Sequence, residues 1–209
     1  LWFFNKDEYL VAMAIRDLVE SYLRSKSVNR PLSIAVFGPP GSGKSFAVRQ
    51  IRRAMAEIFE KDYLLSYEEV NLTQIATPAQ LHSSMREIYR ANQVANKVSR
   101  REAAPFVFFD EFDAPCGGVP LGWLNWFLAP MQDSAIGHGE QKIELRKAVY
   151  FFAGGTAPTL AEVAAIHARR FVDSNGPDFV SRLRGYLNIR GPNDEQGTCC
   201  RRAVVVRTT

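Results

Sequence analysis

Residues 38–45 read Gly38-Pro39-Pro40-Gly41-Ser42-Gly43-Lys44-Ser45. The spacing fits G-x-x-x-x-G-K-[ST]. Glycines let a backbone curl until several N–H groups point into one concavity, and such a concavity suits a polyphosphate. In a loop of this kind Lys44 reaches the β- and γ-phosphates and the Ser45 hydroxyl holds Mg²⁺. Gly38, Pro39, Pro40, Gly41, Ser42, Gly43, Lys44, Ser45 and the adjoining Phe46 are therefore the candidate ligands of a nucleotide polyphosphate. A second chemical stretch is Asp110-Glu111, directly after the apolar Phe106-Val107-Phe108-Phe109. Asp110 would enter the Mg²⁺ shell, directly or through water, and Glu111 would orient and deprotonate an attacking water. A metal on phosphate oxygens with a placed base suits phosphoryl transfer. Two acids at a strand end also occur as simple solvation of that end. Their pairing with a phosphate loop in one chain favours the catalytic reading.

Such a loop needs a strand before it and a helix after it. Leu32–Phe37 is a short apolar run, the expected buried strand, and Ala47, Ile51, Met55 and Ile58 recur at helical spacing. The helix N-terminus adds its dipole to the anion site. An amphipathic helix precedes this unit from about Lys6 to Ser25. Downstream, a second strand is expected from Tyr63 to about Asn71. A helix from Thr77-Pro78 to about Val98 follows, opened by a hydroxyl cap with proline at the first helical position. The run Pro105–Phe109 predicts a central parallel strand with acids at its carboxyl end. A short apolar helix over Leu121–Met131 carries Trp123, Trp126 and Phe127, whose ring sizes favour core packing over a partner surface. Gln132–Arg146 is polar and irregular, read as a hairpin or loop. Ala148–Ala153 is another buried strand, followed by a helix over Thr159–Arg170, a turn at Asn175-Gly176-Pro177, a short helix over Asp178–Leu183 and a last strand over Gly185–Ile189. Alternating strands and helices predict an α/β fold: a three-layer αβα P-loop NTPase with a mainly parallel five-stranded sheet.

The composition excludes several alternatives. The chain has 209 residues with 26 Lys and Arg against 22 Asp and Glu, a net charge of +4. That surplus is mild, and solvated arginines explain it better than a nucleic-acid surface. Three cysteines, two of them adjacent at Cys199 and Cys200, do not form a disulfide framework, and the scattered His82, His138 and His167 do not form a zinc site. A reducing, cytoplasmic location is the simplest expectation. No apolar run approaches a membrane span.

With these motifs in this order, the chain resembles the AAA+ ATPase family over nearly all of residues 31 to 190. Gly38–Ser45 looks like its Walker A motif and Phe106–Glu111 like its Walker B. Phe151-Phe152-Ala153-Gly154-Gly155-Thr156 looks like the strand that carries sensor 1, with Thr156 in the sensing place. Asp178–Arg184 is similar to the segment that bears the arginine finger. The resemblance implies that the Thr156 hydroxyl touches the γ-phosphate or the water; an ordinary turn threonine is the open alternative. It also implies a finger at Arg182 rather than Arg184, because the family places that residue in the helix before the last strand. An ordinary surface arginine remains open for each. A polar residue at the end of the second strand, Asn71 or Thr73, can hold the glutamate in an inactive pose in this family.

In the family the finger comes from a neighbouring subunit. The resemblance therefore implies a homo-oligomer, a ring or partial ring, sharing ATP sites and acting on a protein or nucleic-acid client. Two departures stand out: no sensor 2 arginine is assigned, and no aromatic-glycine pore loop is found. The expected organisation is a helical leader over 1–30, the nucleotide-binding core over 31–190, and a tail over 191–209 that could begin a helical lid. The expected activity is ATP hydrolysis coupled to conformational change. A P-loop kinase acting on a small acceptor and a slow nucleotide-dependent switch in a larger protein are the alternatives.

Overall fold

Helix α1 (Lys6–Arg24) buries Ala12, Ile15, Val19, Tyr22 and Leu23, the stripe expected of a helix with one face on a core. It leads to β1 (Leu32–Phe37), every residue of which is buried, as befits a central parallel strand. Helix α2 (Lys44–Ile58) follows the glycine loop. The computed structural model describes residues 6–28, 30–132, 135–136, 143–144, 146–155, 160–166 and 168–189.

The next elements are β2 (Tyr63–Leu64), β3 (Tyr67–Asn71), a 3₁₀ turn at Leu72–Gln74 and α3 (Pro78–Ser99). Helix α3 starts on a capping box: Thr77 accepts from the Gln80 N–H, and the Gln80 side chain accepts from the Thr77 N–H. After β4 (Glu102–Ala103) and β5 (Phe106–Asp110) comes α4 (Leu124–Gln132). The antiparallel pair β6 (Ala135–Ile136) and β7 (Ile143–Glu144) precedes β8 (Val149–Gly154). The remaining elements are α5 (Leu160–Ile166), α6 (Ala168–Asp173), α7 (Gly176–Arg182) and β9 (Gly185–Asn188).

Among the described residues the main sheet has five strands in the order β3-β5-β8-β1-β9, all parallel. Alternation along the strands divides the core. Val107, Phe109, Tyr150 and Phe152 pack with α3, α4 and α7 on one face, while Phe106, Phe108 and Phe151 pack with α1 and α2 on the other. This is the three-layer αβα architecture expected. Aromatic rings fill the first face: Phe109 stacks on Phe152 at 5.3 Å, and Phe152 meets Phe179 edge-on at 5.0 Å. Trp123 and Phe127 are fully buried there, while Trp126 stays partly exposed against His82.

Two expectations need correction. The single strand expected over Tyr63–Asn71 is divided. Tyr63 pairs with Glu102 in a separate two-stranded ribbon, and the main ladder starts only at Tyr67 opposite Phe106. The cause lies in Tyr63, whose hydroxyl is committed to the carbonyl of Leu23 at the end of α1. Helix α4 starts at Leu124 rather than Leu121, because Leu121 has φ +57°, a left-handed conformation that no helix interior accommodates.

The leader helix is tied to the sheet by buried polar groups. Tyr22 donates to the Arg30 carbonyl at 2.9 Å and accepts from the Ala148 N–H at 3.0 Å. Lys147, 4% exposed, donates to the Leu23 carbonyl and to the Tyr63 hydroxyl, both at 2.8 Å. A buried ammonium on the last carbonyls of a helix satisfies groups that have no partner within the helix. None of the described helices is long and apolar enough to cross a membrane.

Candidate functional site

The phosphate loop leaves β1 at its carboxyl end. Gly38 has φ +153°, and a Cβ there would lie 2.2 Å from the Ile189 carbonyl oxygen; only glycine fits. Ile189 itself donates to the Phe37 carbonyl at 2.8 Å, so the end of β9 forms one wall of the loop. Ser42 donates its N–H to the Pro39 carbonyl, closing a turn, and Gly43, at φ +92°, directs the chain into α2. Lys44 is buried and folds back on the loop, its Nζ donating to the carbonyls of Gly38 at 2.8 Å and Pro39 at 3.3 Å. Ser45 is half-buried in the first turn of α2, and Phe46 beside it is 40% exposed. Pro39, Pro40 and Gly41 are exposed on the rim.

Asp110 and Glu111 stand at the carboxyl end of β5, one strand removed from β1 across β8. Both acids therefore occupy the same edge of the sheet as the loop. Asp110 accepts from the Glu111 N–H at 3.2 Å. Glu111 has φ +54°, unusual for a residue with a side chain, and such conformations concentrate at functional sites. The turn is held by the Phe112 N–H, which donates to the Ala153 carbonyl at 3.1 Å. Burial pushes the Asp110 carboxyl up, against the lowering effects of the Glu111 N–H and the Lys44 charge. Burial is also the largest cause for Glu111, reinforced by the charges of Asp113 and Asp110, with Lys44 opposing. The Lys44 charge thus acts on both acids.

Three residues of this corner escaped the sequence reading. Asp113 is buried, 7% exposed, and its sequence signal is a third acid two positions after Glu111. Gly154 and Gly155 leave room for the acids. A Cβ at Gly154 would lie 2.7 Å from the Phe112 ring and 3.1 Å from Asp113 Oδ2, and one at Gly155 would lie 3.4 Å from Glu111 Oε2. Thr156 lies outside the described residues. Asn71 ends β3 opposite Asp110, but its Oδ1 accepts from both the N–H and the hydroxyl of Thr73.

Residues 34–133 match the model of the ATPase family associated with various cellular activities (AAA). Over this stretch, just under half of its length, the chain is similar to the AAA family, and its five-stranded parallel sheet has the fold of AAA+ P-loop NTPases. Solved structures with the same fold include the ORC2 protein of Aeropyrum pernix in ADPNP–ADP complexes, at 13% identity and TM-score 0.51, covering 86% of this chain and 46% of that one. They also include C. elegans PCH-2, at 14% and 0.51, covering 93% and 45%. The S. cerevisiae Hsp104–ADP complex matches at 12% and 0.50, covering 98% and 39%. At these identities the likeness is one of fold. The chain spans less than half the length of each of these proteins. A comparison with curated proteins gave no match.

The AAA+ topology separates the finger candidates from the loop of their own chain. Arg184 donates its N–H to the Ser33 carbonyl at the entrance of β1, whereas Gly38 follows the exit. At a strand rise of about 3.3 Å per residue the two ends lie about 16 Å apart. Arg182, at the end of α7, is on the entrance side with Arg184. Its guanidinium is held in place: Nε and Nη2 donate to Gln132 Oε1, and Nη1 donates to the Asp178 carbonyl. The structure therefore brings together Lys44, Ser45, Asp110 and Glu111, and leaves Arg182 and Arg184 at the opposite end of the sheet.

Proposed function

We propose that this AAA+ domain binds ATP with Mg²⁺ between the Gly38–Phe46 loop and the Asp110-Glu111 turn, and hydrolyses it in an assembly that shares its sites. The observation that carries the reading is the placement of Lys44 at the end of β1 and of Asp110 and Glu111 at the end of β5, within electrostatic reach across β8. Adenine nucleotides named with the related ORC2 and Hsp104 structures support ATP as the ligand.

The donor set fits Mg²⁺. A serine hydroxyl and a carboxylate are hard oxygen ligands, and Ser45 and Asp110 would hold the ion. When bound, Mg²⁺ neutralises charge that develops on the phosphate oxygens. The loop N–H groups and the α2 N-terminus receive the phosphates. Lys44 exchanges the carbonyls of Gly38 and Pro39 for phosphate oxygens. Glu111 accepts a proton from water as the water oxygen bonds to the γ-phosphorus and the bridging oxygen leaves with ADP. The Thr156 hydroxyl is proposed to report on the γ-phosphate.

Arg182 is proposed to complete the site of a neighbouring subunit. Its separation from its own loop supports this reading, because a guanidinium must approach the γ-phosphate to stabilise the transition state. Coupling would then follow from loss of the γ-phosphate contacts, moving neighbours relative to one another on a protein or nucleic-acid client.

The test is release of inorganic phosphate from ATP with Mg²⁺, by the wild type and Glu111→Gln. Wild-type turnover with tight nucleotide binding but no turnover in the variant supports the reading. Phosphate found on an added small acceptor, with none released to water, would favour the kinase alternative instead.

A further inference from the structure

A cavity of about 570 Å³ lies at the entrance end of the sheet, remote from the phosphate loop. It is bounded by the second half of α1, by Ser25, Val28, Arg30 and Pro31 of the linker that follows, and by the ends of α4 and α7. Arg30, Arg182 and Arg184 all line it, with Asp178 the single acid among the described lining residues. None of these arginines has an ion-pair partner among the described residues, whereas Arg16, Arg24, Arg49 and Arg53 elsewhere each pair with an acid.

From this convergence we infer that Arg30 acts beside Arg182 and Arg184 on the triphosphate of a neighbouring copy of this chain. The inference rests on the shared-site reading proposed above and extends it to a residue outside the finger segment. A cavity lined by three arginines and one aspartate has a surplus of positive residues, which matches a polyphosphate. The bonds of Arg182 to Gln132 and Asp178 engage three of the five N–H donors of its guanidinium, leaving two for a ligand. Arg30 is fixed through its backbone. Its carbonyl accepts from Tyr22, which is itself bonded to the Ala148 N–H at the start of β8. The Arg30 side chain is exposed, so its charge is free to meet a partner. The loop of the same chain is about 16 Å away along β1, so the phosphates that this cluster meets belong to another copy.

The test uses Arg30→Ala and Arg30→Lys in the full chain, each assayed alone and mixed with Lys44→Ala, with the Arg182→Ala and Lys44→Ala mixture as control. Arg30→Ala is expected to slow turnover at saturating ATP roughly ten- to hundredfold, the scale of one charged hydrogen bond. Nucleotide binding by the dilute protomer should not change. Arg30→Lys should fall between, because it keeps the charge and loses the planar fork. Mixing Arg30→Ala with Lys44→Ala should restore turnover, since intact loops then meet intact arginines. Turnover by Arg30→Ala equal to wild type overturns the inference, and so does a loss that mixing does not restore while the Arg182 control is restored. If the control also fails, the shared-site reading itself falls, and the role of Arg30 falls with it. A purely structural role for Arg30 would lower the melting temperature and would not be rescued in the mixture.

Discussion

The N–H of Arg184 donates to the carbonyl of Ser33 at 2.8 Å, fixing the last strand of the sheet to the entrance of the strand whose exit carries the phosphate loop. Arg182 at the end of α7 and Arg184 just before β9 lie at the entrance end of the sheet, whereas Asp110 and Glu111 lie at the end that carries the loop.

The first prediction concerns Arg182. Arg182→Ala should reduce turnover by about 10³-fold or more while nucleotide affinity stays near wild type, as expected for a group that meets the transition state. Wild-type turnover per protomer should rise with protein concentration. Kinetics over a dilution series, with titrated binding of a fluorescent nucleotide, check both.

Glu111 sits where its charge is disfavoured. Its carboxyl is raised by burial and by Asp113 and Asp110, so the folded protein binds more protons than the unfolded chain between the ordinary glutamate value and the raised one. Stability of the nucleotide-free protein should therefore fall as pH rises through that window. At neutral pH Glu111→Gln should melt above wild type, because it removes the unfavourable charge. The acid limb of turnover should lie above the ordinary carboxylate range, since a base must be ionised to accept a proton. Thermal melts and rate profiles across pH measure the two effects separately.

The glycine at the mouth of the loop offers a steric test. Gly38→Ala would place a methyl group 2.2 Å from the Ile189 carbonyl oxygen. Relief of that clash requires β9 or the loop to move, at a cost of about 2 kcal/mol or more. A lower melting temperature together with lost nucleotide binding is expected, while Gly41→Ala, which meets nothing within 4 Å, should lose far less stability. Its φ of +74° still costs something for a residue with a side chain.

Away from the site, Tyr89 and Tyr150 share a buried hydroxyl–hydroxyl bond of 2.7 Å between α3 and β8. Each single change to Phe leaves one buried hydroxyl without its partner, costing about 1–3 kcal/mol. The double change removes both groups and should cost less than the sum of the singles. Denaturant titration of the four proteins reads the coupling directly.

Much of this was legible in the sequence because its signals are local. The loop is one contiguous motif between an apolar strand and a helical periodicity, and Asp110-Glu111 directly ends a run of four apolar residues. What escaped was either non-local or hidden by short-range resemblance. Tyr63 looks like the start of a long strand until its hydroxyl is seen on the end of α1, which lies far away in sequence. Leu121 fits an apolar helix, and its left-handed conformation leaves no trace in the periodicity. Gly154 and Gly155 read as a strand ending, and their role as clearance for Phe112, Asp113 and Glu111 needs the neighbouring strand in place. Arg30 gave no sequence signal, because only folding carries the α1–β1 linker to the same cavity as α7.

The most direct measurement is ATP turnover by an equimolar mixture of Lys44→Ala and Arg182→Ala, each also assayed alone beside wild type. With shared sites, each variant alone is inactive and the mixture recovers turnover, because an intact loop then faces an intact arginine from its neighbour. Recovery should vanish on dilution. An active wild type with a mixture as inactive as its components would contradict the shared site.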